Sequence, residues 1–235
     1  MTMELKVHCT IGMQAAIEEM LPQLEAASGC TLTFTWATAP MLVRRLQVGE
    51  RADVMILNRA GIETMVKEGR IAPGSPVKLA GSPVALAVKA GAAKPDISTA
   101  EALKQTLLEA KSISYTDPAA GGASGVYFAQ LLERLGIAQE VNAKNTYPPA
   151  GGFSGALLLT GQAEIAIQQK PELLHIAGIE IIGQLPGELN MVTVFAAGID
   201  TASTNSDAAK KLIAFLQSQE AAAVLRSKGL DPDAA

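Results

Sequence analysis

Hydrophobic and polar positions along the 235-residue chain alternate between two periods. Short apolar runs typical of strands are each followed by a run with apolar residues every three or four positions, such as Ile17, Met20, Leu21 and Leu24, the spacing of an amphipathic helix. A repeated order of strand, helix and strand along the chain predicts a parallel α/β sheet. The predicted strands are residues 4–9, 31–36, 53–57, 112–116 and 164–168, and the predicted helices are 13–27, 40–48, 60–68, 99–110, 124–135, 152–160, 207–217 and 220–228.

The alternation changes at residues 77–88, which read as two extended runs broken at Gly81 and Ser82 with no helix between them. A second long extended run, residues 191–198, follows late in the chain. Two lobes joined by two extended crossovers make a hinge-bending architecture, and we expect the ligand to lie in a cleft between them. The predicted lobes are residues 1–81 plus 197–235 and residues 82–196.

Composition narrows the class of ligand. The chain is 49% hydrophobic, enough for a large core, and its net charge is −4 without a cluster of basic residues. We therefore expect neither nucleic acid nor an acidic membrane surface as a partner. Aromatic residues make up only 4% of the chain, too few for platforms that stack bases. A small polar or charged ligand fits better.

The start of the chain does not decide between a periplasmic and a cytoplasmic location. Residue 4 already lies in a predicted strand, and no apolar run approaches the roughly 20 residues of a membrane helix, so we expect no membrane insertion. The protein is periplasmic if a signal peptide was removed, and otherwise cytoplasmic. Cys9 and Cys30 fall at opposite ends of neighbouring predicted parallel strands, too far apart for a disulfide, which predicts two free, buried thiols.

One segment indicates an anion site. In residues 117–135 a strand end passes through a turn rich in Gly and Ser into an amphipathic helix. The first N–H groups of such a helix are unpaired, and its dipole favours negative charge. The two histidines and two cysteines have no zinc-type spacing, and neither a Walker motif nor GxGxxG occurs, so we expect no metal and no cofactor.

Similar entries into helices follow Cys9 and Trp36 and precede Phe153, and two adjacent amides end the predicted strand 164–168. Some of these residues also have structural explanations, because Thr38 and Ser124 could cap helices and Phe153 could anchor a loop. The predicted ligand-binding residues are Thr10, Gly12, Met13, Thr38, Ala39, Ser124, Phe153, Ser154, Gln168 and Gln169.

Two residues are candidate proton carriers or charge partners. His8 lies beside the first predicted loop and titrates near neutrality, although its apolar neighbours also fit a histidine of the core. Lys170 could pair with a carboxylate or could be an exposed lysine at a helix start. His175 is expected at the surface.

The chain resembles the periplasmic molybdate-binding proteins and the wider group of two-lobed solute-binding proteins. The segments that carry the resemblance are LVRRLQVGERADVMI, the DP followed by SGVYFAQLLERLG, GALLLTGQAEIAI and LIAFLQSQEAAAVLRSKGL. The resemblance implies a periplasmic-binding-protein-like α/β fold, a small anionic ligand and, as a partner, the permease of an ABC transporter. It also implies that the C-terminal helices pack on the first lobe.

The ligand-binding positions of that family are changed here. Gly12 and Ala39 stand where the family presents serines, and Gln169 aligns with its tyrosine. The loss of these donors favours a planar carboxylate or a larger organic acid over a tetrahedral oxyanion. Our first interpretation is that the protein binds a small anion and does not convert it into another compound. Some bacterial aconitate isomerases also resemble this family, so the alternative is a cofactor-free isomerase of a small carboxylic acid that uses His8 or Lys170.

Overall fold

The computed structural model describes residues 3–149 and 151–233, which form two compact α/β units. Unit 1 comprises the described residues up to Ser82 and from Thr193 onward, and unit 2 is Pro83–Val192. The strands in the described residues are β1 Met3–Thr10, β2 Cys30–Ala37, β3 Val54–Asn58, β4 Val77–Lys89, β5 Ile113–Tyr115, β6 Ile165–Gln169, β7 Ile179–Gln184 and β8 Val192–Ile199.

Helices connect most of these strands. The α-helices in the described residues are α1 Gln14–Glu19, α2 Leu21–Ser28, α3 Ala39–Gln47, α4 Arg59–Lys67, α5 Ala100–Glu109, α6 Ala123–Leu135, α7 Ala138–Asn142, α8 Ser154–Leu159, α9 Lys170–Leu174, α10 Ser206–Leu216 and α11 Gln219–Ser227. Short 3-10 helices occur at Ile11–Met13, Pro118–Ala120 and Gly187–Leu189.

The sheet of unit 1 has the order β2-β1-β3-β8-β4, with β1 parallel to β2 and β3 and with β8 antiparallel to β3. Alternate residues of a strand face opposite sides of the sheet. Val7 and Cys9 therefore pack with α1, α2, α10 and α11, while Met55 packs with α3 and α4 on the other side. The predicted packing of the C-terminal helices on the first lobe agrees with this core.

The two cysteines occupy the predicted positions. Cys9 pairs in register with Trp36, near the carboxyl end of β1, and Cys30 pairs with Met3 at the other end. Both thiols are free and buried, as the spacing predicted. Burial in apolar surroundings raises the pKa of the Cys9 thiol well above its ordinary value.

The sheet of unit 2 has the order β7-β4-β6-β5, in which β5 and β6 are parallel and β4 is antiparallel to β6 and β7. Tyr115 and Phe128 lie in the apolar core on one side, which α5, α6 and α7 cover. Ala166, Leu157 and Leu173 form the core on the other side, under α8 and α9.

Three predictions about elements need correction. The predicted helix 13–27 is divided, because Pro22 has no N–H for the helical ladder, so that α1 ends at Glu19 and α2 begins at Leu21. The predicted break at Gly81 is absent, since β4 is continuous there and Gly81 exchanges backbone hydrogen bonds of 2.6 and 2.8 Å with Asp231. Helix α7 was not predicted, and α9 entered only as the alternative in which Lys170 starts a helix, because each spans only five residues.

Gly125 allows α6 to approach the end of β5 closely. A Cβ atom at Gly125 would lie 2.2 Å from the carbonyl oxygen of Thr116. We predict that Gly125→Ala destabilises the protein by at least about 1 kcal/mol, because overpacking against the backbone outweighs the better helix propensity of alanine. Denaturant unfolding measures the change. The control is Gly183→Ala, where the nearest atom is 3.4 Å away, and equal stabilities of the two variants would contradict the close approach.

Candidate functional site

The carboxyl ends of β5 and β6 lie side by side in unit 2. The strands are parallel, and Tyr115 pairs with Ile167, so Thr116 and the two glutamines of β6 reach the same edge of the sheet. Helices α6 and α9 begin close behind the ends of these strands. The carboxyl edge of a parallel sheet is the usual place for a ligand in α/β proteins.

Helix α6 begins with unpaired backbone donors. Its N-cap is Gly122, which has no side chain, and its hydrogen-bond ladder starts with the bond of 3.0 Å from Val126 N to Gly122 O. Within residues 3–149 and 151–233 no acceptor is recorded for the N–H groups of Ala123, Ser124 and Gly125. The alternative that Ser124 caps the helix is therefore wrong, since Ser124 is buried inside the first turn. Three N–H groups and the helix dipole can receive an anion here.

Helix α8 begins differently, and the sequence analysis missed this. The backbone N–H of Ser154 donates to Oε1 of Gln168 at 2.8 Å in buried surroundings, so this donor is already satisfied by the chain itself. The Ser154 hydroxyl is buried, and within the described residues it has no partner. Phe153 is the N-cap residue, and its ring lies 5.1 Å from the ring of His175, an exposed residue as predicted.

The two amides that end β6 face opposite sides of the sheet. Gln168 follows the side of Ala166, toward α8, whereas Gln169 follows the side of Ile167, toward α6. Gln169 is buried, and its Oε1 has no partner among the described residues, as is also true of the Thr116 hydroxyl. An unpaired buried polar atom costs about 1 to 3 kcal/mol, so these atoms mark a place suited to a polar ligand.

Unit 1 presents a second set of the predicted residues at the carboxyl edge of β1 and β2. Thr10 pairs with Ala37 at the ends of these strands and is buried, and the 3-10 helix Ile11–Met13, which contains the buried Gly12, follows. Thr38 is the N-cap of α3, but its hydroxyl makes no capping bond and, within the described residues, no other. Ala39 is buried beside it.

His8 belongs to strand β1 of unit 1. Its side chain is buried, and its Nε2 lies 3.2 Å from Oε1 of Glu50, which also lies 3.4 Å from Arg45 Nη1. Burial lowers the pKa of His8 below its usual value of 6.5, and Arg45 and Arg70 lower it further, while Glu50 raises it. The contact with Glu50 satisfies only Nε2, because the Nδ1 atom of His8 is buried and has no partner among the described residues, so the alternative of a satisfied core histidine fits only in part.

A carboxyl group that the sequence analysis overlooked lies where β6 passes into α9. Glu172 is the third residue of α9, behind the N-cap Gln169, which is the position of a capping-box glutamate. Burial raises the pKa of this half-buried group to about 7, although hydrogen bonds from the Gln168 side chain and the Gln169 backbone lower it. The sequence signal was present in QQKPE. Lys170, the first residue of α9, is half-buried.

The described residues contain no group of three or more His, Cys, Asp or Glu side chains that could hold a metal ion. Unit 2 also has a surface groove of about 700 Å³ away from the edge described above. The start of β6, the end of β4 and helix α5 line it, with Val88, Ala102 and Ile165 among the residues. The unpaired buried atoms of Thr116, Ser154 and Gln169 do not line this groove.

The fold is that of the periplasmic binding proteins. The periplasmic molybdate-binding protein of Azotobacter vinelandii superimposes with a TM-score of 0.78 at 17% identity, covering 96% of this chain and 98% of that chain. The sulfate-binding protein of Mycobacterium tuberculosis superimposes with a TM-score of 0.77 at 16% identity, covering 98% and 87%. At such identities the likeness concerns the fold alone, which confirms the predicted class.

The chain belongs to the family of bacterial extracellular solute-binding proteins, whose sequence profile matches residues 5–231. It is also 34% identical over 227 residues to an aconitate isomerase of a Pseudomonas species, a match that covers 94% of this chain and 85% of that protein. Among the described residues, no helix has both the length and the apolar character needed to cross a membrane.

The raised pKa of Glu172 predicts how stability depends on pH. Between pH 4.5 and about 7 the folded state holds a proton that the unfolded state has lost, so this residue makes the protein less stable as pH rises through that window. We predict that Glu172→Gln melts at a higher temperature than the wild type above neutral pH and at a similar temperature below pH 4.5. Thermal melts across pH measure this.

The matched control is Glu140→Gln, because Glu140 is the third residue of α7 but is exposed. This control should follow the wild type at every pH. A Glu172→Gln variant that shows the same difference from the wild type in acid and in base would contradict the raised pKa.

Proposed function

We propose that this protein is a cofactor-free isomerase of a small carboxylic acid of the aconitate type. The observation that carries the proposal is the 34% identity over 94% of the chain to an aconitate isomerase. The alternative in the sequence analysis thus has more support than its first interpretation. The family description as a solute-binding protein agrees with either activity, because both begin with capture of a small ligand.

The start of α6 supports a carboxylate as the bound group. Three N–H groups in one helical turn, with the hydroxyl of Thr116 at the adjacent strand end, offer donors to a negatively charged oxygen. In an isomerisation that moves a double bond, negative charge spreads onto carboxylate oxygens as a proton leaves the neighbouring carbon. Donors that are already oriented toward those oxygens stabilise that charge without reorganisation.

The changed positions in unit 1 also fit an organic acid better than a tetrahedral oxyanion. Gly12 and Ala39 offer no hydroxyl, which leaves Thr10 and Thr38 as the nearest side-chain donors there. Each hydroxyl lost from a dry oxyanion site costs about 1 to 3 kcal/mol, so molybdate or sulfate should bind weakly. The ligand cleft shared by both lobes stays a prediction.

A second candidate function is ligand capture alone. It is favoured by the family, and by fold neighbours that are binding proteins for molybdate and sulfate. In that case the protein would deliver its ligand to the permease of an ABC transporter, as the resemblance implied, and no bond in the ligand would change.

One experiment separates these functions. The purified protein is incubated with cis-aconitate and with trans-aconitate in deuterated buffer, and NMR follows interconversion and deuterium incorporation. Thermal-shift assays with both isomers, molybdate, tungstate and sulfate run in parallel. We expect interconversion, and stabilisation by aconitate rather than by the oxyanions. Stabilisation by a ligand without conversion would support capture alone, and stabilisation only by an oxyanion would contradict an organic acid.

The role of α6 is tested by removing one backbone donor. Ala123→Pro deletes the first N–H of the helix at a position that favours proline, and the extended conformation of Gly122 suits a residue that precedes proline. A hydrogen bond to a charged group contributes about 1.5 to 3 kcal/mol, so we predict that the affinity for aconitate falls by about one to two orders of magnitude. Isothermal titration measures the affinity.

The control is Ala100→Pro, the same change at the first residue of α5, where the preceding Thr99 is also extended. This variant should bind aconitate like the wild type. Equal affinities for Ala123→Pro and the wild type, with both proteins folded, would remove α6 from the proposed site.

A further inference from the structure

We propose that the outer edge of strand β2 pairs with β2 of a second copy of this chain in an antiparallel arrangement. Strand β2, Cys30–Ala37, ends the sheet of unit 1, where β1 lies on one side of it and no strand of the described residues lies on the other. The inference concerns a surface of unit 1 and is independent of the proposed function.

The outer edge of β2 carries free backbone groups. The N–H of Leu32 donates to Oε1 of Glu25 at 3.0 Å, so the backbone of Leu32 points away from β1. The backbone groups of a strand point to its two sides in alternation, so those of Phe34 and Trp36 also lie on the outer edge. Within the described residues no acceptor is recorded for the N–H groups of Phe34 and Trp36. These two residues can pair with a further strand.

Strand β2 lacks the features that keep edge strands from pairing. Proteins usually protect an edge with charged residues, proline, a bulge or a very short strand. The sequence of β2, CTLTFTWA, contains no charged residue and no proline. Its register with β1 is unbroken over all eight residues. Glu25 covers a single N–H group near one end, so most of the edge stays open.

The edge strands of unit 2 are protected. Strand β7 carries Glu180, which pairs with Lys94, and its register against β4 shifts once. Strand β5 has only three residues, and on its outer side Ile113 exchanges backbone hydrogen bonds of 3.0 and 2.9 Å with Lys144 and Thr146. The open edge of β2 therefore differs from both.

One register satisfies the free groups of both copies. With the two-fold axis at Thr35, Phe34 lies opposite Trp36 of the second copy, and Trp36 lies opposite its Phe34. Each of these pairs exchanges two N–H···O bonds, so all the free N–H groups are used. Thr35 lies opposite Thr35 as a non-hydrogen-bonded pair, with Cα atoms about 4.5 Å apart. The bond from Leu32 to Glu25 does not need to break.

The side chains fit the same register. The rings of Phe34 and Trp36 are half-buried and stack with centroids 4.8 Å apart and planes 6° apart. Both rings lie on one face of β2, so in the pair they continue into the rings of the second copy. On the other face the two Thr35 hydroxyl groups meet, and Thr–Thr is a favourable cross-strand pair. A strand with the same sequence is thus a suitable partner.

Charges are complementary between the two copies. In this register Leu32, which holds the Glu25 carboxylate, lies opposite Thr38 of the second copy. Thr38 is the N-cap of α3 and its side chain makes no capping bond. A helix start favours a negative charge, so the carboxylate of each copy faces a favourable end of the other. No charged residue of β2 meets a like charge.

The register is tested by cross-linking through Thr35→Cys. The two new cysteines would have Cα atoms about 4.5 Å apart, within the range of about 4.4 to 6.8 Å for a disulfide. We expect a disulfide-linked dimer after mild oxidation, seen on non-reducing gels and by intact mass. The native thiols of Cys9 and Cys30 are buried, so the wild type should not cross-link.

The matched control is Thr33→Cys on the same face of β2. Thr33 is exposed, whereas Thr35 is half-buried, so random collisions would favour the control. In the proposed register Thr33 lies opposite Ala37 of the second copy, and its cysteine has no partner. Thr33→Cys should therefore cross-link much less than Thr35→Cys. Equal cross-linking of the two variants would overturn the register.

The association itself is measured without cross-linking. Analytical ultracentrifugation of the wild type should show a dimer whose fraction rises with protein concentration. Thr35→Lys places two ammonium groups opposite each other and should raise the dissociation constant about fivefold or more. Thr33→Lys, which opposes Ala37, should keep the wild-type value. Circular dichroism confirms that both variants are folded.

Trp36 provides a direct signal, because it is the one tryptophan of the chain. Its ring loses contact with water when β2 pairs, so its emission should move to shorter wavelength as protein concentration rises. The midpoint of this change should coincide with that of the sedimentation data. A dimer that forms without any change in Trp36 emission would place the interface elsewhere and overturn the inference.

Two further outcomes would also overturn it. One is a wild type that stays monomeric at every concentration. The other is a dimer that folded Thr35→Lys does not weaken. Neither result depends on aconitate, so the proposed function stands or fails by its own experiment.

Discussion

The candidate site depends on one constraint, the absence of a side-chain cap at the start of α6. Ser, Thr, Asp and Asn are preferred at the N-cap, because their side chains can satisfy an N–H group of the first turn. Helices α4, α5 and α11 do so through Asn58, Thr99 and Ser218. Helix α6 begins behind Gly122, and its donors stay available at the edge where β5 ends. That availability is what makes a negatively charged ligand favourable there.

Two helix starts that look alike in the sequence behave differently. The Ser154 N–H of α8 is occupied by the Gln168 amide, whereas the first turn of α6 has no recorded acceptor in the part of the chain that the structure describes. The oxygen of a side-chain amide in this position accepts the N–H group at the start of α8, as an oxygen atom of a bound ligand would. The chain thus reduces the number of free donors at the edge, which agrees with a ligand other than a tetrahedral oxyanion.

The fold could be predicted largely from the sequence because apolar residues recur at the spacing typical of a helix or a strand in most of its elements. The first strand and helix α6 were placed within one or two residues of their observed ends. The failures have local causes. Pro22 divides a helix whose apolar spacing continues across it, and α9 has only five residues, too few for a helical period to emerge. Periodicity also did not predict that Gly81 would stay paired within β4, because its partner Asp231 lies far along the chain.

The candidate site was less predictable, because it depends on contacts between distant residues. The segment 117–135 predicted a helix start with unpaired donors, and the uncapped start of α6 agrees with that, since a glycine turn before a helix is a local signal. Anion binding there stays a prediction. The bond between Gln168 and Ser154 joins residues 14 positions apart in different elements, and the pKa of Glu172 arises from burial under tertiary packing. The spacing of Gln169 and Glu172 is a local signal, but the Gln168–Ser154 bond and the pKa of Glu172 depend on tertiary contacts.

The most direct measurement of the central claim is an NMR titration that follows backbone amide signals as aconitate is added. If the start of α6 receives a carboxylate, the amide signals of Ala123, Ser124 and Gly125 shift strongly and saturate with the binding curve, while those at the start of α5 stay in place. Saturable binding of aconitate that leaves the three α6 amides unshifted would contradict the account.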